Sequence, residues 1–103
     1  GASSNHKGLD IGASYGASIV AAADGTVSYA GYNNGMGNYV MISHAGGKMT
    51  VYGHLTSLTV STGQTVSRGQ VIGYVGSTGN STGPHLHYEC RLNGVRYNPM
   101  SEY

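Results

Sequence analysis

Residues 82–90 read TGPHLHYEC and place two histidines one residue apart, directly after a polar, glycine-rich loop. Side chains on a β-strand alternate between its two faces. In a strand, His85 and His87 would therefore point together, while Leu86 would point to the opposite side. The same alternation adds Glu89 to the histidine side. The stretch predicts a strand with one polar, histidine-bearing face and one apolar face.

The same strand pattern recurs along the chain. Dipeptides typical of two-residue hairpin turns separate β-prone runs at Asp24-Gly25, Gly46-Gly47 and Asn93-Gly94. The stretch QVIGYVG (70–76) predicts a further strand, and glycines interrupt every window with helical spacing. We therefore expect residues 1–103 to form one all-β domain with a mainly antiparallel sheet, excised from a longer chain.

Composition excludes several function classes. The 103 residues suffice for one modest core, and the apolar residues, 39% of the chain, fall in alternating runs, which opposes disorder. Only 9% of residues are charged and the net charge is +1, so neither nucleic acid nor an anionic membrane is an expected partner. A monomer is the default expectation. The single cysteine, Cys90, cannot form an internal disulfide and is interpreted as a small buried hydrophobe.

Two further stretches carry histidines with strand-like spacing. In HKGLDIG, which starts at His6, an extended backbone puts His6 and Asp10 on one face. In TVYGHL, Tyr52 and His54 would share a face in the same way. Four of the five histidines thus lie in short motifs of matched spacing, and Asp10 is one of only four acidic residues. The fifth, His44, is interpreted as an ordinary surface or hydrogen-bonded residue.

Such a set of side chains suits catalytic zinc. This ion takes three protein ligands of nitrogen and oxygen type and leaves a fourth position for water, so two imidazoles and a carboxylate suffice. The remaining histidines could transfer protons and stabilise a tetrahedral intermediate. The helical HExxH motif is absent, so its glutamate base is missing and histidine is the residue available for that task. Glu89 could be solvated or could orient a histidine.

The motifs HKGLD, YGHL and GPHLHYE, in this order, resemble the M23 family of peptidoglycan metallopeptidases, the LytM/lysostaphin-like group. That family's pattern is HxxxD, then a histidine in a Y-x-H-L context, then HxH. The similarity also includes AAADGTVSYAG, GNYVMISH and VSRGQVIGYVGSTGNSTGPHLH, so it covers essentially the whole chain.

The resemblance implies a role for each motif residue. His6, Asp10 and His87 match the ligands of a single catalytic zinc ion, and His54 and His85 match two catalytic histidines that do not bind the metal. It also implies a small antiparallel sheet with a groove over it. Family members act outside the cytoplasm and hydrolyse peptide bonds in the stems or cross-bridges of bacterial cell walls, so peptidoglycan peptide is the expected substrate.

The sequence determines the scissile bond less closely than it determines the site residues. The polar loops at 33–38 and 76–83 are expected to wall the groove, and their small side chains suit either glycine bridges or stem peptides. We favour a stem or cross-link endopeptidase over a pentaglycine specialist.

The sequence admits three other functions. One is a catalytically inactive LytM-type scaffold that binds cell wall or activates another hydrolase, although such domains typically lack ligands. The second is a biotinyl- or lipoyl-like carrier with Lys48 near a hairpin tip, which would leave the histidine motifs unexplained. The third is a purely structural zinc site, which usually includes cysteine; Cys90 faces away from His87 in a strand.

Overall fold

A computed structural model describes residues 8–12, 15–76, 85–92 and 95–97. Within these residues the chain forms strands joined by short turns, with one 3₁₀ turn at Ala45–Gly47. The strands are β1 (Gly8–Gly12), β2 (Ser18–Val20), β3 (Gly25–Asn33), β4 (Gly37–Ser43), β5 (Lys48–Leu58), β6 (Thr65–Val66), β7 (Val71–Val75), β8 (His85–Leu92) and β9 (Val95–Tyr97). The all-β prediction is confirmed.

All the strands join one antiparallel sheet. Its main path runs β1-β8-β5-β4-β3-β6, β7 bonds to β2 and β5, and β9 extends the sheet beside β8. The longest strand, β5, pairs with β4 along one edge. Along its other edge it pairs first with β8 and then with β7. The sheet therefore divides at β5.

The core lies on the face of the sheet that carries Tyr52 and Tyr88, which are paired across β5 and β8 and are fully buried. Their rings lie 5.4 Å apart in a tilted arrangement that aromatic pairs favour. Aliphatic side chains from most of the strands pack around them, namely Ile19, Val27, Val40, Ile42, Leu55, Val60, Val66, Ile72, Val75 and Leu86. Cys90 is buried in this cluster, as predicted.

The predicted hairpin at Asp24-Gly25 is wrong. The strand before it, β2, pairs with β7, whereas β3 pairs with β4 and β6. Gly25 lies in β3, where a Cβ atom would clash with the carbonyl oxygen of Ser43. The glycine therefore permits a close approach of two backbones. The carboxylate of the preceding residue, Asp24, accepts a hydrogen bond from the Arg68 amide at 2.7 Å.

The other two hairpins are present. Strands β4 and β5 form an antiparallel pair whose connection is longer than two residues, with Gly46 and Gly47 both at positive φ (76° and 77°). Strands β8 and β9 pair from Leu92 to Val95, although Asn93 and Gly94 lie outside the described residues. The strand predicted at 70–76 is β7. Among the residues described, none belongs to a helix long and apolar enough to cross a membrane.

Candidate active site

The register of three adjacent strands brings the first and last sequence motifs together. Asp10 of β1 lies opposite His87 of β8, and His87 lies opposite Gly53 of β5. Gly12 lies opposite His85 in the same ladder. Residues directly opposite each other in an antiparallel pair have Cβ atoms about 4.5–5.5 Å apart. The predicted ligands Asp10 and His87 are therefore neighbours by register, whereas His6 lies outside the described residues.

His54 occupies the point where the sheet divides. The last pair between β5 and β8 is Gly53 with His87, and the first between β5 and β7 is Leu55 with Val75. His54 stands between these two pairs with a φ of 63°. Among the described residues it is the one non-glycine residue at positive φ. The left-handed region is unfavourable for a residue with a Cβ atom, and such outliers cluster at functional sites.

The unusual backbone of His54 changes the direction of its side chain. Tyr52 lies fully in the core, and strand alternation would point His54 to the core as well. Instead, the ring of His54 lies edge-on to the ring of His87, with 5.8 Å between centroids and 73° between planes. Since the neighbours of His87 in β8, Leu86 and Tyr88, belong to the core, His87 itself faces away from it. The prediction that Tyr52 and His54 share a face is therefore wrong.

A chain of hydrogen bonds holds the ring of His87. The Glu89 carboxylate accepts a hydrogen bond from His87 Nε2 at 2.8 Å, and its other oxygen accepts bonds from the Arg91 guanidinium at 3.0 and 3.3 Å. Glu89 and His87 are both buried, at 5% and 8% exposure. Glu89 is therefore not a solvated residue. Sequence analysis missed Arg91, although strand alternation places it on the same face as Glu89.

Burial raises the pKa of the Glu89 carboxyl, but the hydrogen bonds and charges of His87 and Arg91 outweigh burial and lower that pKa from 4.5 to about 2. The carboxylate is thus ionised at neutral pH and accepts a hydrogen bond from the Nε2–H group of His87. When the His87 ring is neutral and keeps its proton on Nε2, its lone pair lies on Nδ1. This arrangement, with a carboxylate orienting the ring, is common for histidines that bind metal through the other nitrogen.

The side chains of His87 and Asp10 are of the types that fit zinc. Catalytic zinc accepts imidazole nitrogen and carboxylate oxygen, which are the groups that His87 and Asp10 carry. The described residues contain no group of three or more histidine, cysteine, aspartate or glutamate side chains close enough to hold a metal ion. His6 and the side chains of Asp10 and His85 lie outside the part of the chain that the structure describes.

His44 belongs to a different region, at the opposite end of β5. Its Nδ1 donates to the carbonyl oxygen of Asp24 at 2.7 Å, and its Nε2 lies 2.7 Å from the Thr50 hydroxyl, which also bonds to the Tyr52 hydroxyl. This agrees with the interpretation of His44 as a hydrogen-bonded residue. A cavity of about 410 Å³ adjoins it, lined by Ala22, Ala23, Asp24, His44, Ala45, Lys48, Thr50 and Arg68.

Comparison with known protein families identifies the family of this chain. The profile of peptidase family M23 matches residues 4–99. The chain belongs to peptidase family M23. The match includes all five predicted site residues of this M23 chain, while their individual roles stay predictions.

Two curated relatives are similar over nearly the whole M23 chain. A protein of Neisseria meningitidis named DD-carboxypeptidase/endopeptidase Mpg is 51% identical over 96 residues, which cover 93% of this chain and 22% of Mpg. The murein hydrolase activator EnvC of Escherichia coli is 43% identical over 94 residues, 91% of this chain and 22% of EnvC. The chain therefore spans about a fifth of the length of these relatives.

Two solved structures share the fold. A zinc-containing peptidase from Vibrio cholerae superposes with a TM-score of 0.89 at 38% identity, covering 92% of this chain and 29% of that one. The catalytic domain of lysostaphin from Staphylococcus simulans superposes with a TM-score of 0.88 at 35% identity, covering 93% of this chain and 77% of that one.

The left-handed backbone of His54 predicts an unusual order of stabilities. His54→Gly should be about 1 kcal/mol more stable to urea than His54→Ala, because glycine alone adopts this φ without strain. At Ser57, an exposed position of β5 with negative φ, glycine should instead be the less stable of the two. Equal stability of the two His54 variants, or greater stability of His54→Ala, would contradict the described backbone.

The ion pair of Glu89 predicts a dependence of stability on pH in the metal-free chain. The pKa of the Glu89 carboxyl is about 2 in the folded chain and 4.5 in the unfolded chain, so the unfolded chain binds a proton more readily. The stabilisation by the Glu89 carboxylate is therefore present above about pH 4.5 and is lost as the pH falls towards 2. When the pH falls from 6 to 3, the unfolding free energy of the unaltered chain should decrease by about 2 kcal/mol more than that of Glu89→Gln. Parallel losses in urea titrations would show that Glu89 is not ionised in this way.

Proposed function

We propose that this chain is a zinc-dependent endopeptidase that hydrolyses peptide bonds in bacterial peptidoglycan. The proposal rests chiefly on the meeting of His54 and His87 where the sheet divides, next to the strand that carries Asp10. Membership of a peptidase family and the intact HxxxD, YGHL and HxH motifs support it. Mpg, which is named an endopeptidase, supports the reaction type.

In this proposal, His6, Asp10 and His87 hold the metal. His87 would bind through Nδ1, because its Nε2 is hydrogen-bonded to Glu89. Glu89 and Arg91 are then positioning residues, since they fix the ring and do not bind the ion themselves. Zinc, when bound, supplies a Lewis acid that polarises the scissile carbonyl and makes water a stronger nucleophile at neutral pH.

His54 and His85 are the proposed catalytic histidines. They hydrogen-bond the attacking water and the oxygen on which negative charge develops, and one of them, as a neutral imidazole, accepts the water proton and returns it to the leaving amine. His54 is only 7% exposed, and its backbone is held at both ends. A ring fixed in this way is already oriented before substrate arrives, as electrostatic catalysis requires.

For the scissile bond we propose a cross-link between two D-configured centres of the peptide stems. Mpg is named a DD-carboxypeptidase/endopeptidase, and this favours the class over the alternative substrate, a pentaglycine bridge. Peptidoglycan lies outside the cytoplasm, so the chain would act there, in a secreted, wall-bound or periplasmic setting.

An inactive scaffold is the alternative, and EnvC is a relative named as an activator of murein hydrolases. The residues expected to bind zinc and to catalyse hydrolysis are nevertheless all present in this chain. A scaffold would not need the strained backbone at His54. We therefore favour the enzyme.

Single alanine variants separate metal binding from catalysis. His87→Ala should lose zinc after desalting, whereas His54→Ala and His85→Ala should keep one zinc per chain and lower turnover on purified cross-linked peptidoglycan by about 10²-fold or more. Zinc content is measured by elemental mass spectrometry, and turnover by the amines released.

His44→Ala is the matched control, because this histidine lies at the other end of β5 from His54. It should keep both zinc and turnover at a temperature where it is folded. Zinc loss in His54→Ala or His85→Ala, or full zinc content in His87→Ala, would refute the proposed division of roles.

A further inference from the structure

The turn between β3 and β4, residues 33–37, makes direct contact with the backbone of His54. The carbonyl oxygen of Met36 accepts a hydrogen bond from the His54 amide at 2.7 Å. On its other side, the His54 carbonyl oxygen accepts a bond from the Gly76 amide at 3.1 Å. Both backbone groups of the left-handed residue are thus held by segments outside β5.

Asn33 fixes the peptide unit that precedes Met36. Its side-chain oxygen Oδ1 accepts a hydrogen bond from the Met36 amide at 2.6 Å. Asparagine side chains commonly bond to the backbone of their own turn and stabilise one turn conformation. Both backbone polar groups of Met36 are therefore engaged, one by Asn33 and the other by His54.

The side chain of Met36 adds a packing contact to the same turn. A Cβ atom at Gly53 would stand 2.8 Å from Met36 Cε and 3.5 Å from His87 Cβ. The end of the Met36 side chain therefore occupies the space above Gly53, on the side of the sheet where His87 lies. Displacement of this turn would therefore disturb the packing above Gly53 and beside His87.

Asn38, the residue after the turn, ties β4 to the stretch that follows His54. Its Nδ2 donates to the carbonyl oxygens of Leu55 at 3.1 Å and Thr56 at 3.4 Å. The β3–β4 hairpin thus holds β5 both at His54 and just after it. A left-handed conformation of a residue with a Cβ atom persists only where the surroundings hold it.

We propose that the 33–37 turn is the positioning element of His54, with Asn33 as the residue that sets the turn. This inference rests on the proposed function, in which His54 is catalytic. Asn33 acts through Met36 and does not touch the reacting atoms. The turn was expected from sequence only to wall the groove, a role that would alter substrate affinity and leave the chemical step unchanged.

Three variants test this role in the zinc-loaded chain. Asn33→Ala removes the acceptor for the Met36 amide and should lower kcat about tenfold, with KM within twofold and zinc content unchanged. Asn33→Asp keeps an oxygen acceptor at the same place and should restore most of kcat. Asn34→Ala, at the exposed neighbouring position, should leave both constants unchanged.

A measurement without substrate gives an independent readout. The Cα and Cβ chemical shifts of His54 report whether its backbone stays in the left-handed region. They should change in Asn33→Ala and stay unchanged in Asn33→Asp and Asn34→Ala. Because Asn33 is exposed and the strands on both sides of the turn are paired, the variants should remain folded, as their amide spectra would show.

Either of two results would overturn the positioning role: unchanged His54 shifts in Asn33→Ala, or a change confined to KM. A chain that cleaves no peptidoglycan although zinc is bound would instead refute the proposed function. In that case the chemical shifts would still decide whether the turn holds His54.

Discussion

The candidate site depends on one backbone conformation, the left-handed φ of 63° at His54. At this residue the pairing of β5 changes from β8 to β7. The left-handed backbone turns the imidazole out of the core and towards His87. An extended residue at this position would continue the alternation and direct the ring into the hydrophobic cluster. The division of the sheet and the meeting of the two histidines are thus two results of the same conformation.

Strand β8 supplies the other half of the site by plain alternation. Leu86, Tyr88 and Cys90 bury one face in the core, which leaves His87 and Glu89 on the other. Pairing with β1 then brings Asp10 into register with His87. Because the core anchors every second residue of β8, a slip of one residue would direct His87 into the hydrophobic cluster and Tyr88 to the opposite face, so core packing also protects the register of the site.

The strands and the faces of β8 could be predicted from sequence, because both follow from local alternation and turn residues. The face of His54 could not, since its backbone is held by contacts from Met36 and Gly76, 18 and 22 residues away along the chain. The prediction of a hairpin at Asp24-Gly25 is wrong for a similar reason: Gly25 permits a close tertiary contact with Ser43 and does not form a turn. The roles of His6, Asp10, His54, His85 and His87 came from the family resemblance and stay predictions.

Mass spectrometry of released fragments tests the central claim, zinc-dependent cleavage of peptidoglycan, most directly. The zinc-loaded chain and a chelator-treated control would be incubated with purified peptidoglycans of different cross-link type. New amine-ended peptides, cut at a D-Ala-containing cross-link and released only with zinc, are the predicted result. No fragments from any peptidoglycan with zinc confirmed bound, or glycine oligomers alone, would contradict it.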